Sequence, residues 1–592
     1  RLVHELKGFN LLALELDAVG GIFERLLSPE ERHQFGQHYT NPELVDLLVA
    51  AAVQSREDVV FDPASGGGTF LVRAYERLRS LGEADHLTLL SQIYGNDSSR
   101  FAGHLSTINL AARQITRDQN YPRVGTHDFF ELNPGDALVS LPLSPQPSGP
   151  RTPIALSSGI DAIVGNPPYI RRQAIDTKTR RFAERAVERF GEESGDPHFR
   201  LDGLSDLHVY FWPHASRYLK AGGYLAFLTS SSWLQSRYGA QLKRLLLKNY
   251  EIEFIAETVV EPWFSDARVK TVATVARKRR KAEAGQADHQ VAFVQLQRPL
   301  ADLMGPATSG NRWNKVATLL DEMRTPQSND SMRVRLFSQA SLEAGDDWSI
   351  PLRTPDLYAR FVDLPGVREV CSEPADTNDP YVLRVGPKFG SKWFVVEDIT
   401  ELTSDGDLQD MGITRRQVSG TAPRYRIVRG EDWRGPIETR YLRRWVRGPG
   451  DETGRVLGRE AGDLVVTISR SARVPRAARV RDYIRHGEGR GEHQRVYTGA
   501  RRVWYCIEDI EPGPIIFPSG AQYGHKVWAN PGARCLTTSP NAYLEPRGGS
   551  TEVALALLNS TWTFLAALFD AGTVGTEGLV RFGGRGSWRR LH

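Results

Sequence analysis

Cysteine is scarce in this chain: 592 residues hold three, Cys371, Cys506 and Cys535, far apart and without a CxxC pair. That argues against a disulfide framework and against a thiolate zinc site, and makes a reducing, cytoplasmic setting the expectation. Long hydrophobic runs are also missing. No apolar stretch reaches the roughly 20 residues that span a bilayer, and nothing resembles a secretory signal, so no membrane partner is expected. No internal repeat and no PD-(D/E)xK nuclease signature stands out. The first residue is Arg1 rather than Met, which leads us to expect an upstream segment.

What is present fits a globular protein, with 40% apolar and 25% charged residues. The length predicts roughly two to four domains. The net charge of +4 is unevenly spread. Residues 411–592 carry 29 Lys and Arg against 17 Asp and Glu (+12), and the rest of the chain carries 46 against 54 (−8). A basic C-terminal third suits a polyanion; a solvated basic face is the plainer alternative.

Residues 1–31 read as a helical segment. From 32 to 281, short apolar runs alternate with helical stretches, the pattern of an α/β domain with a mostly parallel sheet. Five runs read as buried strands: Asp58–Asp62, Gln92–Gly95, Arg123–Thr126, Asp161–Gly165 and Gly223–Thr229. Helices are expected around Phe70–Leu81 and Tyr210–Leu219. Leu141–Gly159, rich in Pro and Ser, reads as an exposed loop, and the charged Arg171–Ser205 as a mobile excursion. Residues 282–350 read as a connector with scattered helix, and 351–592 as a separate domain of short β-rich runs.

The first strand runs into Asp62-Pro63-Ala64-Ser65-Gly66-Gly67-Gly68-Thr69. Such a loop lets backbone approach a ligand closely, and the N–H groups of the following helix favour a carboxylate or phosphate. The spacing is neither GxGxxG nor GxxxxGK[ST], which disfavours a dinucleotide or ATP. Asp97 beyond the second strand sits where α/β pockets bind ribose, and Asp128-Phe129 beyond the third offers an acceptor and an aromatic face. Each acid has a competing use as a helix cap.

Asp161-Ala162-Ile163-Val164-Gly165-Asn166-Pro167-Pro168-Tyr169 carries the chemistry. The two prolines stiffen the turn and remove backbone donors. Asn166 and the Pro167 carbonyl can each accept one hydrogen of an NH2 group, and Tyr169 can stack on the ring that bears it. Two acceptors favour the tetrahedral nitrogen whose lone pair can attack a methyl group. A rigid structural turn is the competing reading.

Here the chain resembles the gamma class of amino-group DNA methyltransferases, the adenine-N6 enzymes of type IIG-like restriction–modification and phage-defence systems. Phe35-Gly36-Gln37-His38-Tyr39-Thr40 resembles that family's motif before the glycine loop, departing from it in having Asn41 before Pro42. Ser205–Phe211 and Tyr218–Gly223 resemble its next helix–strand unit. The resemblance implies a Rossmann-like seven-stranded sheet, a C-terminal mixed α+β target-recognition domain, and S-adenosylmethionine as cofactor. It further implies that Tyr39 and Thr40 contact the cofactor's methionine end, that the glycine loop (Asp62, Ala64, Gly66, Gly68) holds it, that Asp97 binds its ribose, and that Asp128 and Phe129 hold its adenine. Asn166, Pro167, Pro168 and Tyr169 are then catalytic.

Duplex DNA is the expected partner, with the target base flipped out. Arg171–Ser205 either folds over that DNA or is a solvated insertion. In the last third, Trp433–Arg447 and Ile468–Arg481 mix arginines with aromatics, a composition that suits DNA but also builds β cores. Other readings are a DNA-recognition subunit of a defence complex whose methylation depends on partner subunits, a protein-glutamine methyltransferase, and an RNA or cytosine-N4 methyltransferase.

Overall fold

The computed structural model describes residues 40–354 apart from 115–119, 144–148, 157, 264–269, 281–287 and 306–310, and residues 381–581 apart from 448–454, 459–462, 470–473, 508–510, 519, 522–525, 540, 548, 561–571 and 575–578. The helical segment expected over 1–31, and Tyr39, lie outside the described residues. The chain divides into two compact units, Arg1–Thr354 and Pro355–His592. Among the described residues no helix is long and apolar enough to cross a membrane.

The first unit is built on strands β1 (Val60–Asp62), β2 (Ile93–Asn96), β3 (Arg123–Gly125), β4 (Ala137–Pro142), β5 (Arg151–Ala155), β6 (Ile160–Gly165), β7 (Leu219–Ser230), β8 (Tyr250–Thr258), β9 (Thr271–Lys278), β10 (Gln290–Leu296), β11 (Gln327–Ser328) and β12 (Met332–Ser338). Its helices include α1 (Pro42–Ala52), α2 (Thr69–Ser80), α3 (His86–Gln92), α4 (Arg100–Ala111), α5 (Thr177–Glu193), α6 (Leu207–Ser216), α7 (Gly239–Asn249), α8 (Leu300–Met304) and α9 (Arg312–Glu322).

One sheet joins ten of the strands in the order β11-β12-β10-β8-β9-β7-β6-β1-β2-β3. All five strands expected from the sequence are in it. β3, β2, β1, β6 and β7 pair in parallel, and β9 lies antiparallel between β7 and β8. Those seven strands form the expected doubly covered sheet. Alternation along them explains the covering: Ala226 and Leu228 of β7 enter one core cluster with α1 and α2, while Leu225 and Phe227 enter the other with α6 and α7.

Three segments depart from expectation. Residues 282–350 are not a mere connector, because β10 pairs in parallel with β8 and β12 antiparallel with β10. Without β10 the edge of β8 would present unpaired backbone groups. Leu141–Gly159 is not simply a loop: it contains the end of β4 and all of β5, which pair as an antiparallel hairpin. Arg171–Ser205 contains α5, whose buried Ala183, Ala186, Val187 and Phe190 form one apolar stripe.

Asp46, on the buried face of α1, is wholly buried between two guanidinium groups. Arg73 of α2 grips it through both nitrogens, one at 2.7 Å, and Arg312 of α9 donates at 2.7 Å. The ion triad joins α9, from the stretch after β10, to the helix that follows the glycine loop.

In the second unit, Val395–Asp398, Tyr425–Gly430, Trp433–Glu438, Leu442–Val446, Asp463–Val466 and Leu536–Thr537 make a six-stranded sheet. Tyr441 and Trp445 turn into its core, while Arg434, Arg440, Arg443 and Arg447 are exposed. The aromatics of that stretch thus serve packing, and the arginines face outward.

Candidate active site

The carboxyl ends of β1, β2, β3 and β6 meet along one edge of the sheet, where open α/β folds take their ligands. The glycine loop leaves β1 and enters α2 through Gly68, whose φ of +91° is left-handed. A Cβ there would lie 2.9 Å from the Ser106 Cα, so only glycine fits. Gly66, at φ +51°, faces open space instead: nothing lies within 4 Å of where its Cβ would be. That bare stretch of backbone borders a cleft.

Thr40, Ala64, Gly66, Asp97, Asp128, Phe129, Asn166 and Pro168 all line this cleft. Asp97 accepts from the Gly66 N–H at 2.9 Å and the Ser99 N–H at 2.8 Å, tying β2 to the glycine loop. Asp128 does cap a turn, accepting from the Phe130 N–H at 3.0 Å, while remaining on the cleft wall. Burial raises the carboxyl pKa of both above the ordinary range. Phe129 is nearly enclosed, stacked on Phe211 at 5.2 Å, and gives the cleft only its margin.

Four expected residues stand behind or beside the cleft. Asp62 is wholly buried and accepts from the Ala64 N–H at 3.0 Å, bracing the loop from beneath. Burial pushes its pKa well up. Gly165 makes room for it, since a Cβ there would fall 2.7 Å from Asp62 Oδ1. Gly68 shapes the turn, and Pro167 is buried. Tyr169 is half-buried, its hydroxyl enclosed and its ring edge-on to His208 at 6.0 Å.

Asn166 projects from the end of β6. Its amide nitrogen donates to Thr40 Oγ1 at 3.2 Å, and its Oδ1 is buried with no partner among the described residues. Thr40 is placed by α1, whose first turn Asn41 caps by accepting from the Glu43 N–H at 2.7 Å. The inserted Asn41 before Pro42 is therefore a helix cap, with Pro42 at the first helical position, where no backbone donor is needed.

Residues 14–306 match the family described as N-6 DNA Methylase. That stretch, just under half of the chain, is similar to the N-6 DNA methylase family. The chain is 28% identical over 228 residues to the Type II methyltransferase M.XamI of Xanthomonas campestris pv. amaranthicola, covering 38% of this chain and 35% of that one. It is 24% identical over 237 residues to M.PaeR7I of Pseudomonas aeruginosa, covering 39% and 38%. The match thus spans little more than a third of these relatives' length. Among solved structures, the Type IIL restriction-modification enzyme MmeI in complex with DNA shares the fold at a TM-score of 0.52 and 14% identity, over 96% of this chain and 70% of that one.

The cleft is also built from residues that the sequence alone did not single out. Ser106 and Asn109 of α4 hold the Gly66 and Gly67 carbonyls at 2.8 and 2.6 Å. Their signal is two polar residues on a helix face shared with Ala102 and Leu105. Asn96 exchanges hydrogen bonds with the His127 backbone at 3.0 and 3.1 Å, locking the ends of β2 and β3 together. Leu207 and Phe211 reach the cleft from α6.

Proposed function

We propose that this chain transfers a methyl group from S-adenosylmethionine to N6 of an adenine in duplex DNA, as the modification activity of a restriction–modification system. The observation that carries the reading is Asn166 on the cleft wall: its Oδ1 is a buried acceptor without a partner among the described residues, and its amide nitrogen is already committed to Thr40. The family match over 14–306, the methyltransferase names of the relatives and the DNA in the MmeI complex support it.

The cleft suits the cofactor on its own chemistry. Open space over Gly66 admits a ligand against bare backbone. We assign Thr40 to the methionine end, Asp97 to the ribose hydroxyls and Asp128 with Phe129 to the adenine; all four line the cleft. The acidic side chains also favour a cation. When bound, the cofactor supplies an electrophilic methyl group on a positive sulfur.

The chain's own part is to hold the nucleophile. Asn166 Oδ1 accepts one hydrogen of the target amine and the Pro167 carbonyl the other. Held so, the nitrogen pyramidalises and its lone pair leaves conjugation with the ring, so positioning and electrostatics lower the barrier. The Tyr169 ring, its hydroxyl enclosed, offers a face to the flipped base. We assign the basic second unit to target recognition on duplex DNA.

The test is incubation of the chain with methyl-labelled S-adenosylmethionine and mixed-sequence duplex DNA, followed by nucleoside analysis. Label in N6-methyladenine is the expected result. Label confined to 4-methylcytosine or to protein, or no transfer, contradicts the reading.

A further inference from the structure

Residues 171–205 separate the Asn-Pro-Pro-Tyr loop from α6, and their charge alone points to DNA or solvent. The fold uses them otherwise. Asp176 caps α5, its carboxylate accepting from the Lys178 and Thr179 N–H groups at 3.0 Å each. The stripe of Ala183, Ala186, Val187 and Phe190 sinks into the core that also holds Phe129 and Phe130. Arg189 then fastens the helix to the turn beyond β3, donating to the Asn133 side-chain oxygen and, at 3.3 Å, to the Phe130 carbonyl. α5 is therefore docked on the segment that carries Asp128.

This docking brings the first turn of α5 to the cleft. Thr179 lines it together with Asp128, Phe130 and Ile170. Lys178 and Asp176 lie near enough to act on the Asp128 carboxyl, in opposite directions and both more weakly than burial. The Thr179 N–H is taken up by Asp176, while the residue itself lines the cleft beside Asp128. Its hydroxyl oxygen carries two lone pairs that can accept. A wall with a carboxylate and an acceptor hydroxyl fits an exocyclic amine, which has two hydrogens to place.

We infer that Thr179 is a cofactor-binding residue: α5 closes the nucleobase end of the cleft, and Thr179 Oγ1 accepts a hydrogen from the 6-amino group of the cofactor's adenine. The inference rests on the methyl-donor reading above and adds to it a contact from outside the family-like motifs. It makes the insertion after the catalytic loop part of the cofactor site rather than a cover for DNA.

The test is direct binding to the full chain, without DNA and so without turnover, by calorimetry. The ligands are S-adenosylmethionine and its analogue with the 6-amino group replaced by oxygen. Thr179→Val is expected to weaken S-adenosylmethionine about 3- to 10-fold, the loss of one net hydrogen bond. Thr179→Ser keeps the wild-type affinity, and the analogue binds wild type and Thr179→Val alike. A Thr179→Val protein that binds the cofactor as tightly as wild type overturns the inference, and so does one that loses both ligands equally, because α5 would then only prop the wall. Wild type that binds neither ligand sinks the methyl-donor reading and this inference with it; a variant without effect in a wild type that binds sinks this inference alone.

Discussion

Thr40 and Asn166 lie 126 positions apart in sequence and meet through one hydrogen bond, from Asn166 Nδ2 to Thr40 Oγ1 at 3.2 Å. The bond joins the entry of α1 to the end of β6, and it decides which atom of the Asn166 amide is left to accept. Thr40→Val keeps the shape and removes the acceptor. We expect kcat for methyl transfer at saturating cofactor to fall about 10-fold, the cost of an unmet buried polar group. An unchanged kcat would detach Thr40 from the orientation of Asn166.

The two left-handed glycines of the loop should fail differently. Gly68→Ala places a Cβ 2.9 Å from the Ser106 Cα, whereas Gly66→Ala meets nothing within 4 Å. Gly68→Ala should therefore lower the Tm markedly. Gly66→Ala should fold with only the backbone strain of about 1 kcal/mol, yet lose cofactor affinity because its methyl occupies the cleft. Thermal melts beside calorimetric binding separate the two, and a Gly66→Ala protein with wild-type affinity would mean the ligand lies elsewhere.

The Asp46 triad tests whether residues after β10 belong to the methylase fold. Arg312→Met leaves Asp46 with Arg73 alone, and removing one partner of a buried ion group costs about 3–5 kcal/mol. Chemical denaturation followed by the fluorescence of Trp313, beside Arg73 at 5.4 Å, reports the change. A connector would tolerate the substitution without loss.

Two buried histidines set an acid limit. Burial lowers the pKa of both His208 and His214 to about 3, with the Arg217 charge adding to the effect at His214. In the unfolded chain each titrates near 6.5. Between those values the unfolded state binds protons that the folded state refuses, so stability falls as pH drops from about 6.5 toward 3 and is unaffected by these groups above it. At pH 5 each withdraws about 2 kcal/mol. His208→Phe should lose less Tm between pH 7 and pH 5 than wild type; equal losses would show that His208 is not held neutral.

Much of this was legible because chemistry sits at strand ends. β1, β2, β3, β6 and β7 each show as an apolar run that stops in turn residues; Asp97 and Asn166 follow two of those ends directly, and Asp128 lies in the turn after a third. The hairpin of β4 and β5 was hidden because little of it is buried: β5 alternates only between exposed and half-buried positions and β4 buries only Leu138, within a Pro- and Ser-rich composition. In α5, Arg180, Arg181 and Arg185 mask a stripe only four residues wide. β10 and β12 were missed although each leaves a local mark, the apolar run Val291–Val294 and the alternation of Met332, Val334 and Leu336 with arginines; what has no local mark is the long-range pairing that joins them to β8. Ser106 and Asn109 act through the loop carbonyls they hold, and spacing alone does not announce a partner some 40 residues away.

The most direct measurement is methyl transfer by Asn166→Ala beside its affinity for S-adenosylmethionine. If Asn166 grips the target amine, the variant binds cofactor within about 2-fold of wild type while transfer to DNA falls by at least about 100-fold, the scale of losing a donor or acceptor aimed at the transition state. Transfer retained at near the wild-type rate would contradict the account.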